Sequence, residues 1–153
     1  MVSGNILENL NRASTYVYVI EDSEIDFEMI VRTFNRVEFF PDIHHCADGD
    51  EALEFLHSVK KNHTTYSPPS LVLLDLNLPG VDGRQILASM KSDPDLRKIP
   101  VIVLSTSNNE NDIEFSLRQG ADKYLKKPLS PDDFATAANT IKIFWETRII
   151  PHG

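Results

Sequence analysis

Apolar positions in the first third of the chain alternate between runs typical of strands and spacings typical of helices. Residues 15–21 are β-branched and aromatic and predict a strand, and the polar residues after them lead into apolar residues at helical spacing from Ile25 to Phe34. Residues 42–47 predict a second, weaker strand, and Asp48 is placed to cap a second helix. The pattern therefore predicts two successive strand–helix units.

The remaining predicted elements continue this alternation. They are a surface loop at 60–70, a strand at 71–76, a helix starting at Asp82-Gly83, a strand at 100–104, a helix at 111–118, a strand at 122–125 and a last helix from Ser130 to about Thr147. The strands at 71–76 and 100–104 are almost continuously apolar, as is typical of strands buried on both faces.

Five strand–helix units in sequence favour a parallel sheet covered by helices on both faces. Right-handed crossovers allow an open sheet, and five strands are too few for an eight-stranded barrel. We therefore predict an α/β, flavodoxin-like, doubly wound five-stranded parallel sheet with strand order 2-1-3-4-5. The domain is expected to span residues 15–147, between an N-terminal extension at 1–14 and a C-terminal tail at 148–153.

Composition and charge limit the classes of function that this chain can have. The 153 residues include 23 Asp and Glu against 15 Lys and Arg, and the net charge of -8 opposes binding to nucleic acid or to anionic lipid. No apolar run approaches the roughly 20 residues that a membrane-spanning helix needs, and the first residues do not resemble a signal peptide. We therefore expect a cytoplasmic protein without membrane or nucleic-acid partners. The lone cysteine, Cys46, is given no catalytic role.

Carboxylates follow the two strands that flank the predicted switch point of the sheet, where ligands bind in such folds. Glu21 and Asp22 end the first strand, and Asp75 interrupts the third, with Asn77 two residues later. Like charges so close together need a cation, and oxygen ligands suit Mg²⁺. The sequence therefore predicts a divalent metal site.

Hydroxyl and ammonium groups are predicted to border the same crevice. Ser105 and Thr106 end the fourth strand, and Lys127 followed by Pro128 comes after the fifth. Carboxylates, a metal, a hydroxyl and a lysine together indicate a phosphoryl-binding site.

These ordered motifs resemble the receiver domain of two-component response regulators, from about Tyr16 to Thr147. The segments NLPGVDGR, VLSTSNNENDI and FWETRIIP are more narrowly similar to the small response regulators paired with cyanobacterial phytochromes. The resemblance implies a stand-alone response regulator in a phosphorelay. Its partners are expected to be a sensor histidine kinase of the phytochrome type and a downstream phosphotransfer protein, and its output altered partner binding.

The resemblance also implies residue roles. Asp75 is the expected phosphoacceptor, attacking the phosphoryl group of a phosphohistidine. Asp22 and Asp75 are the expected metal ligands, helped by the backbone carbonyl of Asn77 and by Glu21 through a water. Ser105, Thr106, Lys127 and Tyr124 are the expected phosphoryl-binding and switch residues, and a cis peptide is expected before Pro128.

Three positions depart from the common receiver pattern. Glutamate rather than aspartate stands at position 21, which favours the water-mediated role. Serine at 105 lacks the methyl group that restricts threonine. Thr106 stands where many receivers carry alanine, and its bulk is expected to restrict access to the phosphoryl group.

Two other functional classes fit parts of the pattern. A metal-dependent phosphatase or phosphotransferase would use Asp75 as a covalent nucleophile, but Asn77 stands where that class carries an acid/base aspartate. A flavin-binding electron carrier on the same fold would need a phosphate-binding loop where this chain has the acidic residues 21–26. A histidine metal cluster is not expected, because His44 and His45 point to opposite faces of a strand.

The last helix has more apolar residues than one buried stripe needs. Phe134, Ala138, Ile141 and Trp145 repeat at helical spacing and form one face. Ile143, Phe144, Ile149 and Ile150 are left for a second surface, which a symmetric homodimer would bury. The alternative is that the C-terminal tail folds back over this surface within one chain. Phe144, Ile149 and Ile150 are the predicted dimer residues.

Overall fold

The computed structural model describes residues 15–61, 67–127 and 130–150. The strands are β1 Tyr16–Ile20, β2 Asp42–Cys46, β3 Leu71–Leu74, β4 Val101–Ser105 and β5 Lys123–Lys126. The helices are α1 Glu24–Arg36, α2 Gly49–Lys61, α3 Gly83–Ser92, α4 Glu110–Gln119 and α5 Pro131–Phe144, with a 3₁₀ turn at Leu96–Lys98 and a π-helical segment at Trp145–Ile149.

The five strands form one parallel sheet in the order β2-β1-β3-β4-β5, which confirms the predicted fold. β1 pairs with both β2 and β3, and Ile20 lies opposite Cys46 on one side and Leu74 on the other. β1 and β3 therefore end at the same level. The residues that follow them, Glu21 and Asp75, leave the sheet side by side at the switch point.

Helices cover both faces of the sheet. Tyr16, Tyr18 and Ile20 of β1 face an apolar cluster that α2 and α3 complete. Val17 and Val19 face a second cluster, formed with α1 and α5. This alternation is the ordinary two-residue period of a strand, and because both faces of β1 are apolar the whole strand is buried. Helix α4 packs against α3 and β5.

Polar caps start the helices where the sequence predicts. Ser23 accepts a hydrogen bond from the Asp26 amide at the start of α1, and Asp82 forms a capping box with Gln85 at the start of α3. Ser130 caps α5 in the same way. Helix α4 ends at Gly120, whose φ of 112° is in the left-handed region that glycine adopts without strain. In the described part of the chain, no helix is long and apolar enough to cross a membrane.

The predicted side-chain orientation is wrong at two helix positions. Ile25 is 75% exposed, since it lies five residues, or about 140° of rotation, from the buried Ile30. Phe144 is only 3% exposed, because three residues separate it from the buried Ile141 and place the two on one face. Phe144 therefore belongs to the core and not to a second, exposed surface.

The chain after Phe144 also differs from the prediction. The α-helix gives way to a π-helical segment, and the Ile150 amide donates to the Trp145 carbonyl over 2.8 Å. Ile149 and Ile150 are half-buried and pack against the cluster formed by α1 and α5. Through residue 150 the tail thus folds back on its own chain, as in the alternative considered above. Ile143 remains 59% exposed.

Candidate functional site

Three carboxylates meet at the carboxyl ends of β1 and β3. Glu21, Asp22 and Asp75 each offer an oxygen, and these oxygens all lie within 4.8 Å of one another. Glu21 and Asp75 are buried, whereas Asp22 is exposed. Their proximity follows from the level ends of β1 and β3. The structure thus brings together the three acidic residues that the sequence singled out.

The ammonium group of Lys127 lies among the carboxylates. Its Nζ is 2.5 Å from Glu21 Oε1, 3.0 Å from Asp75 Oδ2 and 2.9 Å from Asp26 Oδ2. The lysine side chain is 5% exposed. Its backbone amide donates to the Ser105 carbonyl over 2.6 Å, which fixes the residue beside the end of β4. The sequence predicted Lys127 at this site but did not predict Asp26.

The electrostatics of the site follow from this burial. Burial raises the pKa of Glu21 to about 7; the hydrogen bond from Lys127 opposes the rise and the Asp75 charge adds to it. Burial alone would lower the pKa of Lys127. Its hydrogen bonds to Glu21 and Asp26 and the charge of Asp75 more than offset this effect, so the pKa of Lys127 lies above its ordinary value. The lysine is therefore a fixed cation.

The site holds one ammonium group and four carboxylates: Lys127 contacts Glu21, Asp26 and Asp75, and Asp22 lies beside Glu21 and Asp75. Negative charge is in excess, and a further cation at this position relieves the repulsion. The donors are hard carboxylate oxygens, which suit a divalent ion such as Mg²⁺ that retains several of its waters. The residues present fit a divalent cation.

Backbone contacts orient the acidic side chains. Asp75 Oδ1 accepts a hydrogen bond from the Asn77 amide at 3.1 Å, while Oδ2 faces Lys127. Glu21 Oε2 accepts from the Ser23 amide at 3.1 Å. Asn77 itself is exposed. The two oxygens of Asp75 thus have different partners, one a backbone amide and the other a charged lysine.

Ser105, at the end of β4, and Tyr124, in β5, both contact Ser107. Ser105 is fully buried, and its Oγ accepts a hydrogen bond from the Ser107 amide at 3.3 Å. The hydroxyl of Tyr124, which is half-buried, donates to the Ser107 carbonyl at 2.7 Å. Thr106 is exposed. The two predicted switch residues, Ser105 and Tyr124, are therefore connected through one loop residue.

A polar network that the sequence analysis missed holds this loop. Arg84 donates to both carboxylate oxygens of Asp112, each over 2.8 Å, and also contacts Asp82. Ser107 Oγ donates to the same Asp112 at 2.7 Å. The Arg84 and Ser107 hydrogen bonds hold the pKa of Asp112 below its usual range. The network ties the start of α3 to the start of α4.

Two other expectations have structural outcomes. His44 and His45 do point to opposite faces: His44 stacks on Tyr16 and His45 on Phe27, with ring centroids 4.2 and 3.7 Å apart. The cis peptide expected before Pro128 lies outside the described residues.

The three predicted dimer residues lie away from the carboxylates. They are Phe144, Ile149 and Ile150, and they pack in the cluster formed by α1 and α5.

Comparison with known proteins agrees with this geometry. The family model of the response regulator receiver domain matches residues 17–139. The chain is 36% identical over 143 residues to the probable methanogenesis regulatory protein FilR2 of Methanothrix harundinacea, covering 94% of this chain and 90% of that protein. It is also 36% identical over 137 residues to response regulator Rcp1 of Synechocystis, covering 88% of this chain and 92% of Rcp1.

Two solved structures share the fold. The Mn²⁺-bound form of Rcp1 superposes with a TM-score of 0.75 at 35% identity, covering 85% of this chain and 93% of Rcp1. The phosphorylated cyanobacterial phytochrome response regulator RcpA superposes with a TM-score of 0.74 at 36% identity, covering 85% of this chain and 92% of RcpA. Family model, sequence identity and structure agree, and the chain belongs to the response regulator receiver domain family.

Proposed function

We propose that this response regulator accepts a phosphoryl group on Asp75 from a phosphohistidine of a sensor histidine kinase and signals by altered partner binding. The observation that carries the proposal is the position of Asp75. It is a buried carboxylate, oriented by the Asn77 amide, within contact of the Lys127 ammonium and beside two further acidic residues. Such a site offers a nucleophile together with the charge compensation that an incoming phosphoryl group needs.

In the proposed transfer, an oxygen of Asp75 forms a bond to phosphorus while the P–N bond of the phosphohistidine breaks. The electron pair of that bond returns to the imidazole nitrogen. Lys127 donates hydrogen bonds to the negative oxygens of the phosphoryl group. Asp22 and Asp75 are the proposed direct ligands of Mg²⁺ or another divalent cation, with the Asn77 carbonyl and, through a water, Glu21. When bound, the ion supplies further charge neutralisation.

The proposal extends to the partners of the chain, the reactions that it catalyses and the bounds of its receiver domain. The likeness to RcpA, a cyanobacterial phytochrome response regulator, supports a sensor kinase of the phytochrome type. A phosphotransfer protein further along the relay stays a prediction. We propose that the chain catalyses its own phosphotransfer and dephosphorylation and acts on no other substrate. Its receiver domain is taken to span residues 15–147, which include the matched segment 17–139. A cytoplasmic location stays a prediction.

The alternative of a phosphatase acting on small molecules loses support. Family membership favours the response regulator, and the residue two positions after Asp75 is an asparagine, which has no acidic proton to donate to a leaving group.

Phosphotransfer from a panel of radiolabelled histidine kinases, phytochromes included, tests the proposed function. Wild type is expected to acquire label in Mg²⁺ and to lose that ability in excess EDTA, because the carboxylates then repel the phosphoryl group. Asp75→Asn is expected to take up no label, and Asp22→Ala much less. Unlabelled wild type with every kinase would refute the proposal, and undiminished transfer in EDTA would refute the metal assignment.

The switch role of Ser105 is tested separately. Ser105→Ala keeps the nucleophile but removes the hydroxyl, so it is expected to accept phosphate at Asp75 while losing much of the conformational response. Amide NMR shifts of residues in α4 and β5, compared with and without phosphorylation, measure that response. Ser58→Ala, which removes an exposed serine hydroxyl on α2, serves as the control. A Ser105→Ala response as large as that of wild type would place the switch elsewhere.

Homodimer formation stays a prediction, but a different residue now supports it. Phe144 is buried, whereas Ile143 of the same helix is exposed and available for an interface. Sedimentation velocity over the micromolar range is expected to show a dimer that Ile143→Asp dissociates. Leu117→Asp, on the exposed face of α4, is the matched control. A monomeric wild type would end the prediction, and a dimer that Ile143→Asp leaves intact would move the interface from α5.

A further inference from the structure

The ammonium group of Lys127 is shared among three carboxylates. Its Nζ lies 2.5 Å from Glu21, 2.9 Å from Asp26 and 3.0 Å from Asp75, and it donates hydrogen bonds to Asp26 and Asp75. A phosphoryl group on Asp75 adds another anion that needs this ammonium group. Phosphorylation of this chain therefore brings the phosphoryl group into competition with the partners that Lys127 already has.

The three partners differ in burial. The side chain of Glu21 is 2% exposed, so its carboxylate would be left buried without a cation if Lys127 moved away. Asp75 becomes an acyl phosphate on phosphorylation, so its contact with Lys127 passes to the phosphoryl oxygens and no buried carboxylate is left behind there. Asp26 is 36% exposed, and water can replace the lysine at its oxygens. Release of Asp26 is therefore the least costly exchange.

Asp26 also lies apart from the oxygens suited to a metal. Glu21, Asp22 and Asp75 form the cluster of mutually close ligand atoms within the described residues, and Asp26 is not a member of it. The position of Asp26 is fixed by the start of α1, where its amide donates to the Ser23 hydroxyl at 3.2 Å. Asp26 thus contacts the site through Lys127.

We propose that Asp26 is a positioning residue that holds the Lys127 ammonium beside Asp75 in the unphosphorylated protein and yields it to the phosphoryl group on phosphorylation. The proposal rests on the proposed function. In this role Asp26 competes with the phosphoryl group for the lysine, so it slows phosphorylation and weakens the hold of Lys127 on the product. Its removal is expected to favour the phosphorylated state.

The test compares Asp26→Asn with Glu24→Gln. Both changes remove one negative charge from the first turn of α1, but Glu24 is exposed and makes no contact with Lys127. With acetyl phosphate in saturating Mg²⁺, Asp26→Asn is expected to be phosphorylated about three- to tenfold faster than Glu24→Gln, and to bind the phosphoryl analogue beryllofluoride more tightly by a similar factor. Equal or slower phosphorylation would overturn the proposal.

A second comparison separates positioning from a general effect of charge or folding. In a Lys127→Met background the proposal predicts that Asp26→Asn no longer changes beryllofluoride affinity, because no lysine remains to be released. An undiminished gain in that background would overturn it. Failure of the proposed function itself has a different signature: wild type would then take no phosphate from acetyl phosphate, or Asp75→Asn would take as much as wild type.

Discussion

A buried ammonium group among carboxylates constrains this molecule more than any other contact. Lys127 compensates Glu21 and Asp75, two acidic side chains that are almost fully buried and that lie against each other at the end of the sheet. Buried charges of one sign cannot be kept together without a counter-charge. The same excess of negative charge fits the site to a divalent cation.

The sheet topology produces the cluster, and hydrogen bonds connect it to the loops around it. Because β1 and β3 end level, their next residues are neighbours, and the contact between the Lys127 amide and Ser105 brings the ends of β4 and β5 to the same crevice. Ser107 then joins Ser105 to Tyr124, and Asp112 with Arg84 joins that loop to α3. A series of polar contacts therefore connects Asp75 with α4.

The sequence predicts the features that depend on strand order. It does not predict contacts between side chains that lie far apart in the chain. The fold and the convergence of Glu21, Asp22, Asp75 and Lys127 follow once parallel strands are ordered 2-1-3-4-5, because side chains after strand ends must meet. Asp26 was missed, since an aspartate in the first turn of a helix is already explained by the helix dipole.

Two other features were not predicted from the sequence. The Arg84–Asp112 pair joins positions 28 residues apart with no periodic pattern to connect them. Phe144 was assigned to the wrong side of α5 because the last apolar residues fit either a buried or an exposed stripe.

Unfolding of Lys127→Met by urea, with and without Mg²⁺, tests the role of the buried ammonium group most directly, with Lys126→Met as the exposed control. We expect Lys127→Met to lose about 2–4 kcal/mol of stability without Mg²⁺ and to regain more than wild type when Mg²⁺ is added, whereas Lys126→Met changes little. A Lys127→Met protein that is as stable as Lys126→Met, or whose stability does not respond to Mg²⁺, would contradict the central role of Lys127.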